Sequence, residues 1–236
     1  MPPYGKHMKK PKGNPMQHEI PPLFIEGNSV EDIHDIKGFE HYAQNKLPMN
    51  IATFFSGGAG DEITLEENVS AFDRLKLVPR VLKNVEKRSL STTVLDQNIN
   101  FPLLIAPMAF QQLAHPEGEM AMAKAAHEHN IMIVLSTLST FSFREIRVNS
   151  NVSSWFQLYI YKDREITKNL VQLAEKAGYK GIVLTVDAPL YGKRVKELYN
   201  PLTLPSGLEV KNLQDAGLDL KGISTAKLPS YLASLL

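Results

Sequence analysis

Residues 155–186 read WFQLYIYKDREITKNLVQLAEKAGYKGIVLTV, and this stretch decides the fold. Two short apolar runs, Trp155–Ile160 and Gly181–Val186, have the length of buried strands. The segment between them, Arg164–Ala177, has helical spacing and stops at Gly178, a residue type that commonly follows a helix. The stretch therefore predicts a strand, a helix and a second strand.

The same alternation is present in the residues before it. Apolar runs at Phe101–Ile105 and Ile131–Leu135 are predicted as strands, and Pro116–His129 and Ser142–Val148 as helices. Alternation at this spacing is typical of right-handed units that build a parallel sheet. We therefore predict an α/β fold with a parallel sheet, and four such units would be the first half of a (β/α)8 barrel.

A helical extension is predicted ahead of the first strand. Helical spacing begins near Ser29, and breaks are predicted at Pro48 and at the glycines from Gly57. Thr64 followed by Glu67 has the pattern of a capping box that opens another helix.

The two ends of the chain have a different character. Residues 1–28 are rich in proline and lysine and are predicted to be a disordered tail, and 29–236 the folded portion. Near the C-terminus, Asn200–Gly207 is predicted as loop and Leu228–Leu236 as a last helix, without a further strand–helix pair.

Composition excludes several classes of function. The charges nearly cancel, with 26 Lys plus Arg against 25 Asp plus Glu, so nothing favours a nucleic-acid partner or an anionic membrane. The chain has no cysteine, and His127 and His129 lie two apart on a predicted helix, so no metal site is predicted. No apolar run approaches the ~18 residues of a membrane span, and a cytoplasmic protein is the default expectation.

Polar residues gather where the predicted strands end. Ser136 ends the second strand, Gln157 and Tyr159 lie on the third, and Thr185 and Asp187 end the fourth. Parallel α/β proteins bind their ligands at these carboxyl ends, and residues two apart on a strand share a face. Each residue alone is more often structural, but their recurrence favours a site that reads the edge of a planar heteroaromatic ligand.

Six motifs follow one another along the chain, at Gly57–Leu65, Pro79–Leu82, Ile105–Ala109, Leu113–Glu119, Trp155–Tyr159 and Leu184–Pro189. Together they resemble the FMN-dependent α-hydroxy-acid oxidases and dehydrogenases, the family of glycolate oxidase and lactate oxidase. The resemblance covers the chain from about residue 30 to the end and is weaker after Pro205.

The resemblance implies an FMN-containing TIM barrel that oxidises an L-2-hydroxy acid to a 2-oxo acid. By resemblance, Tyr159 and Arg194 face the substrate, and Asp187 orients a catalytic histidine, so Tyr159 and Asp187 are the expected catalytic residues. Phe54 stands where the family has a substrate-facing tyrosine, a loss of one hydrogen bond worth about 0.5–1.5 kcal/mol. The expected contacts to the isoalloxazine ring come from Pro107, Met108, Ala109, Ser136, Gln157 and Thr185.

The resemblance also implies that several functional groups of the family have no counterpart in this sequence. The family's flavin-side lysine, its base histidine and its phosphate-binding loops correspond to positions beyond residue 236, so this chain alone is expected to be inactive. The expected partners are a small 2-hydroxy acid and either another copy of the chain or a second chain that completes the barrel. A peroxisomal location is compatible with the family, although the chain shows no signal for it.

Two alternatives stay open at the level of sequence. One is a non-catalytic half-barrel that self-associates or binds a partner. The other is a different FMN barrel, such as a type 2 isopentenyl diphosphate isomerase or a glutamate synthase domain, because fold alone does not separate these activities.

Overall fold

The computed structural model describes residues 30–187, 192–220 and 234–236. They divide into two compact units, and the boundary along the chain lies between residues 45 and 46. The first unit contains a 3-10 helix, Val30–Asp32, and most of α1 (Ile36–Lys46), whose start is capped by a 2.6 Å hydrogen bond from Gly38 N to Asp35 Oδ1. The predicted tail and most of the predicted last helix lie outside the described residues.

Two helices open the second unit, α2 (Met49–Ser56) and α3 (Ile63–Asp73). The capping box predicted at Thr64 is wrong: the residue before α3 is Glu62, which has φ +60° and makes no side-chain cap bond. Its carboxylate instead accepts a hydrogen bond from Gly58 N at 2.9 Å and so closes the preceding turn. Thr64 therefore lies inside the first helical turn, where it cannot act as the cap.

A parallel sheet of four strands forms the centre of the second unit, in the order β3-β4-β5-β6. Its elements are β3 (Leu104–Ile105), α4 (Gly118–Glu128), β4 (Met132–Leu135), α5 (Phe143–Ser150), β5 (Ser154–Leu158), α6 (Arg164–Lys176) and β6 (Ile182–Leu184). The predicted alternation and the parallel pairing are confirmed, and the strands lie in the order in which they occur in the chain. β3 is shorter than predicted, since Pro102 has no N–H to donate to a ladder.

A hairpin that the sequence analysis missed precedes β3. β1 (Thr92–Val94) and β2 (Gln97–Ile99) pair antiparallel. The two turn residues, Leu95 and Asp96, have φ values of +46° and +59°, the conformation of a type I′ turn. The usual Asn-Gly or Asp-Gly signal of this turn is absent from the sequence, which explains the omission.

Two short helices follow β6, namely α7 (Val195–Tyr199) and α8 (Lys211–Asp215), and neither was predicted. Within residues 192–220 there is no further strand, in agreement with the prediction for this region. None of the helices in the described ranges is long and apolar enough to cross a membrane.

The strand register determines which side chains share a face of the sheet. Leu135 pairs with Phe156, so Ser136 is level with Gln157 one position on. Leu158 pairs with Leu184, so Tyr159 is level with Thr185. Because faces alternate along a strand, these four polar residues lie on one face at the carboxyl end, and Phe156 points to the other.

The other face packs against the helices and forms the hydrophobic core. Phe156 is fully buried, and its ring meets that of Phe143 edge-on with centroids 4.6 Å apart. Phe143 in turn contacts the ring of Tyr179 at 5.1 Å. Ile146 of α5 and Leu170 of α6 are also fully buried in this cluster. The core fixes the strands and with them the polar face.

Replacing Ser142 by alanine is expected to lower the free energy of unfolding by about 0.5–2 kcal/mol. Ser142 Oγ accepts from Glu145 N at 3.2 Å, and Glu145 Oε2 accepts from Ser142 N at 2.7 Å, so the structure has a complete capping box at the start of α5. Burial alone would raise the pKa of Glu145, but the bonds from Lys211 and Ser142 outweigh it and the pKa is lowered. Urea denaturation measures the effect.

The matched control is Thr64→Ala, at the capping box that the sequence predicted and the structure lacks. Its unfolding free energy should stay within about 0.5 kcal/mol of the wild type, since Thr64 is exposed and alanine is the better helix former. Equal losses in the two variants would contradict the cap assignments.

Candidate functional site

The side chain of Gln157 joins three strand ends by hydrogen bonds. Its Oε1 accepts from Thr137 N at 3.1 Å and from Ser136 Oγ at 3.5 Å. Its Nε2 donates to Thr185 Oγ1 at 2.8 Å. Gln157 is 3% exposed, so the amide is held among the carboxyl ends of β4, β5 and β6. The predicted convergence of Ser136, Gln157 and Thr185 is thus present.

These contacts fix the direction of the Gln157 amide. A flip would place the NH2 group against Thr137 N–H, two donors facing each other, inside a buried site. Thr137 strengthens the arrangement, because its Oγ1 donates to the Gln157 backbone carbonyl at 2.5 Å. Within the described ranges, no acceptor is bound to the second N–H of Gln157 or to the hydroxyl hydrogen of Thr185, so both can donate to a ligand.

The loop after β3 borders this cluster. Pro107 and Met108 are exposed and Ala109 is half-buried, so their backbone is open to a ligand. The next residue, Phe110, is buried, and its N–H donates to Leu138 O at 3.0 Å in the loop after β4. The three backbone positions predicted to contact a flavin therefore lie beside the loop that carries Ser136.

Arg194 and Phe54, both predicted to face the substrate, are in direct contact. Arg194 Nη2 donates to Phe54 O at 2.7 Å and to Gly57 O at 2.5 Å, and the guanidinium lies 5.6 Å from the Phe54 ring centroid. Nη1 forms an ion pair with Glu197 Oε1 at 2.5 Å. Since both Nη2 hydrogens are used, no adjacent pair of N–H groups is free for bidentate binding of a carboxylate. Arg194 holds the C-terminal end of α2, and its role toward a substrate stays a prediction.

The turn between α2 and α3 is tied to the same segment. Gly60 N donates to Lys193 O at 2.9 Å, and Lys196 Nζ pairs with Glu62 Oε2 at 2.6 Å. The Gly58 N–H, and after it Lys196, hold the pKa of the Glu62 carboxyl below its usual value. The glycine-rich stretch is a turn, as predicted, and it is fastened to the residues that follow the fourth parallel strand.

Replacing Arg194 by methionine is expected to destabilise the protein by about 1–3 kcal/mol. The substitution leaves the Phe54 and Gly57 carbonyls without their donor and Glu197 without its partner. Urea denaturation gives the loss, and limited proteolysis should show faster cleavage in the turn at 57–61. Lys193→Met, at an exposed neighbouring side chain, is the control and should behave as the wild type. A stable Arg194→Met protein would show that these contacts do not hold α2.

Tyr159 and Asp187 lie at the same end of the sheet. Tyr159 is half-buried on β5's continuation, and Asp187 is exposed and accepts no hydrogen bond from the described part of the chain. Nearby Tyr161 is 2% exposed; its burial, and after it the neighbouring Tyr159, raise the pKa of Tyr161 above its ordinary value. The catalytic roles of Tyr159 and Asp187 stay predictions. Residues 188–191, which include part of the last quoted motif, lie outside the described residues.

Comparison with known proteins identifies the family. The sequence model of the FMN-dependent dehydrogenases matches residues 43–228. The chain belongs to the FMN-dependent dehydrogenase family. It is 50% identical to L-lactate oxidase of Nostoc sp. over 179 residues, covering 74% of this chain and 49% of that protein. It is 42% identical to glycolate oxidase 3 of Arabidopsis thaliana over 205 residues, or 86% of this chain and 55% of that one.

Solved structures agree with the family assignment. A crystal structure of mandelate oxidase with (S)-2-phenylpropionate superposes with a TM-score of 0.71 at 35% identity, covering 75% of this chain and 52% of that one. The chain thus has part of the TIM-barrel fold of this FMN oxidoreductase family, and it spans about half the length of the relatives it matches. The family's cofactor is FMN, as the resemblance implied.

The residues of the site fit the ring of FMN. The pyrimidine edge of an isoalloxazine presents both acceptors and a donor, and the cluster offers the Gln157 N–H, the Thr185 hydroxyl and the open backbone of Pro107–Ala109. Gln157 is held rigidly by Thr137 and Ser136, which suits recognition of a planar ring.

Some contributors to the site were missed from the sequence. Thr137 orients Gln157 through its backbone N–H, which no side-chain pattern indicates. Glu197 forms an ion pair with Arg194, and the only sequence signal for this pair is its i, i+3 spacing at the start of a short helix. Glu119 ends the motif Leu113–Glu119, where nothing in the sequence indicates a role, and the structure buries it between the segments after β3 and β4.

Proposed function

We propose that this protein takes part in the FMN-dependent oxidation of an L-2-hydroxy acid to a 2-oxo acid. One observation carries the proposal: the Gln157 amide joins Ser136, Thr137 and Thr185 at the carboxyl ends of three successive parallel strands. Relatives at 50% and 42% identity that are named as lactate and glycolate oxidases support this substrate class over the isomerase and synthase alternatives.

The described residues contribute the surface that holds the flavin ring. Gln157 Nε2, which already donates to Thr185 Oγ1, and the Thr185 hydroxyl would donate to the ring edge, and the backbone of Pro107–Ala109 would border it. FMN, when bound, supplies an acceptor for the two electrons that leave the hydroxy acid. Tyr159 and Asp187 on the same strand ends are proposed to face the substrate, Asp187 by orienting the base.

The edges of the sheet support a proposal about the rest of the barrel. β3 and β6 each have one neighbour in the four-stranded sheet. Ile182 and Leu184 on β6 are each 47% exposed, and Val186, two residues after it, is 77% exposed. Exposed apolar strand edges invite pairing with further strands. We propose that polypeptide supplying the remaining parallel strands, in this chain's own continuation or another chain, pairs there and brings the catalytic base and the phosphate-binding loops.

A titration tests the proposed flavin site directly. FMN is added to the purified chain while quenching of flavin fluorescence is followed, and riboflavin is the matched comparison ligand. We expect saturable binding of both with dissociation constants within about threefold, because the described contacts reach the ring and leave the phosphate free. A folded chain that binds neither compound would refute the proposal. Binding of FMN alone would place the phosphate cradle in this chain and refute its assignment to the second half.

The hydroxy-acid half of the proposal needs the completed barrel. When the flavin-loaded chain is joined by the polypeptide that pairs with β3 and β6, anaerobic addition of lactate or glycolate is expected to bleach the flavin absorbance. A completed, flavin-loaded protein that none of the small 2-hydroxy acids reduces would contradict it.

A further inference from the structure

Glu119 is a buried carboxylate in the first turn of α4, outside the cluster around Gln157. It is 1% exposed. Its Oε1 accepts from Gln111 N and from Thr140 N, both at 3.1 Å, and its Oε2 accepts from the Thr140 hydroxyl. A buried carboxylate is costly unless its oxygens are bonded, and here three donors satisfy them.

The donors come from the two loops that border the flavin site. Gln111 begins a 3-10 helix, Gln111–Leu113, in the segment between β3 and α4 that also contains Pro107–Ala109. Thr140 lies in the loop after β4 that begins with Ser136. One carboxylate therefore joins the segment that offers its backbone to the flavin and the segment that orients Gln157. The bond from Phe110 N to Leu138 O is a second tie between the same loops.

The local backbone is built for this close approach. Gly118, directly before Glu119, has φ +39°, and a Cβ there would lie 2.8 Å from Gln112 Cγ and 2.9 Å from Gln112 N. Any other residue would push α4 away from the loop. The start of the helix is thereby brought close enough for the Glu119 side chain to reach both loops.

We propose that Glu119 is a positioning residue of the flavin site: it sets the spacing between the 107–109 backbone and the Ser136 loop. The inference rests on the proposed binding of FMN by this chain. An acidic residue in the first turn can complement a helix dipole from an exposed position, so that role does not require burial. Glu119 is instead buried, and within the described part of the chain its three donors come from these two segments and none from its own helix.

The geometry predicts that hydrogen-bond acceptance matters and charge does not. In Glu119→Gln the amide oxygen can accept from both backbone N–H groups, while the NH2 donates to the Thr140 oxygen. In Glu119→Ala, two buried N–H groups lose their acceptor. Thr140→Val removes one donor and leaves the backbone contacts. We expect FMN to bind about 10- to 100-fold more weakly to Glu119→Ala, about threefold to tenfold more weakly to Thr140→Val, and within about threefold of wild type to Glu119→Gln.

The experiment combines two measurements on the full chain. FMN affinity and the visible circular dichroism of bound flavin report the geometry of the site. Amide hydrogen exchange at Gln111 and Thr140, measured without FMN, reports the tie itself and should accelerate in Glu119→Ala. Glu117→Gln, an exposed residue two positions earlier, is the control for charge and should match the wild type in both.

The outcomes separate this inference from the proposed function. If wild-type chain binds FMN and Glu119→Ala binds it equally with the same dichroism, the positioning role is wrong. If Glu119→Gln is as weak as Glu119→Ala, the acceptor argument is overturned. If Glu119→Ala does not fold, the FMN affinity of Thr140→Val is compared with that of the wild type, and equal affinities would contradict the positioning role. If the wild type fails to bind FMN, the proposed function fails. Independently of FMN, amide exchange at Gln111 and Thr140 that is as slow in Glu119→Ala as in the wild type would show that Glu119 does not join the two segments.

Discussion

Replacing Gln157 by leucine is expected to weaken FMN binding by about 2 kcal/mol or more, a factor of about 30. Leucine removes the acceptor of Thr137 N–H, which is buried, and the donor that faces Thr185. The Ser136 loop then loses its contact with the side chain at 157 and keeps the bond from Thr137 Oγ1 to the backbone carbonyl of that residue. The loss therefore includes the direct ligand contact and part of the order of the neighbouring loop. Fluorescence titration with FMN measures it.

The control for Gln157→Leu is Gln172→Leu, the same change on the exposed face of α6. Its FMN affinity should equal that of the wild type. Gln157→Glu refines the result, since the carboxylate keeps an acceptor for Thr137 but loses the donor toward Thr185 and introduces a buried charge. Unchanged affinity in Gln157→Leu would mean that the flavin lies elsewhere in the protein.

Replacing Phe156 by alanine is expected to give the largest loss of stability, about 3–5 kcal/mol. Phe156 is fully buried between the sheet and α5, and its ring packs edge-on against Phe143 at 4.6 Å. The residue precedes Gln157 on the same strand, so the cavity left by the missing ring would also loosen the strand that positions the site. Urea denaturation followed by circular dichroism measures the change.

Phe72→Ala provides the comparison, because Phe72 on α3 is 71% exposed. Its unfolding free energy should change by no more than about 0.5 kcal/mol. A loss below about 1 kcal/mol in Phe156→Ala would show that the face of β5 opposite Gln157 is not the centre of the core.

Elements with a strong local pattern were predicted well. The strands β4 and β5 and the helix α6 lie within a few residues of the apolar runs and the helical spacing that indicated them. The capping box predicted at Thr64 was wrong, because the helix start depends on the turn made by Glu62. The hairpin β1–β2 was missed, because it depends on left-handed conformations at Leu95 and Asp96. These conformations have no side-chain periodicity to reveal them.

The candidate site divides in the same way. That Ser136, Gln157 and Thr185 lie at strand ends on one face follows from position along the chain and the period of two. That Arg194 donates to Phe54 and Gly57 does not follow, since 140 and 137 residues separate the partners. Family resemblance suggests that Arg194 binds the substrate, but in the structure its guanidinium already donates to main-chain carbonyls.

The sequence by itself determined the order of the βα units, the polar face of the sheet and the membership in a flavin-dependent family. All of these are encoded in local periodicity and short motifs. Only the tertiary structure decided the direction of the Gln157 amide, the engagement of Arg194 and the burial of Glu119 between two loops. The physical reason is that a hydrogen bond depends on atoms brought within about 3 Å by packing, and the packing joins residues that the chain keeps far apart.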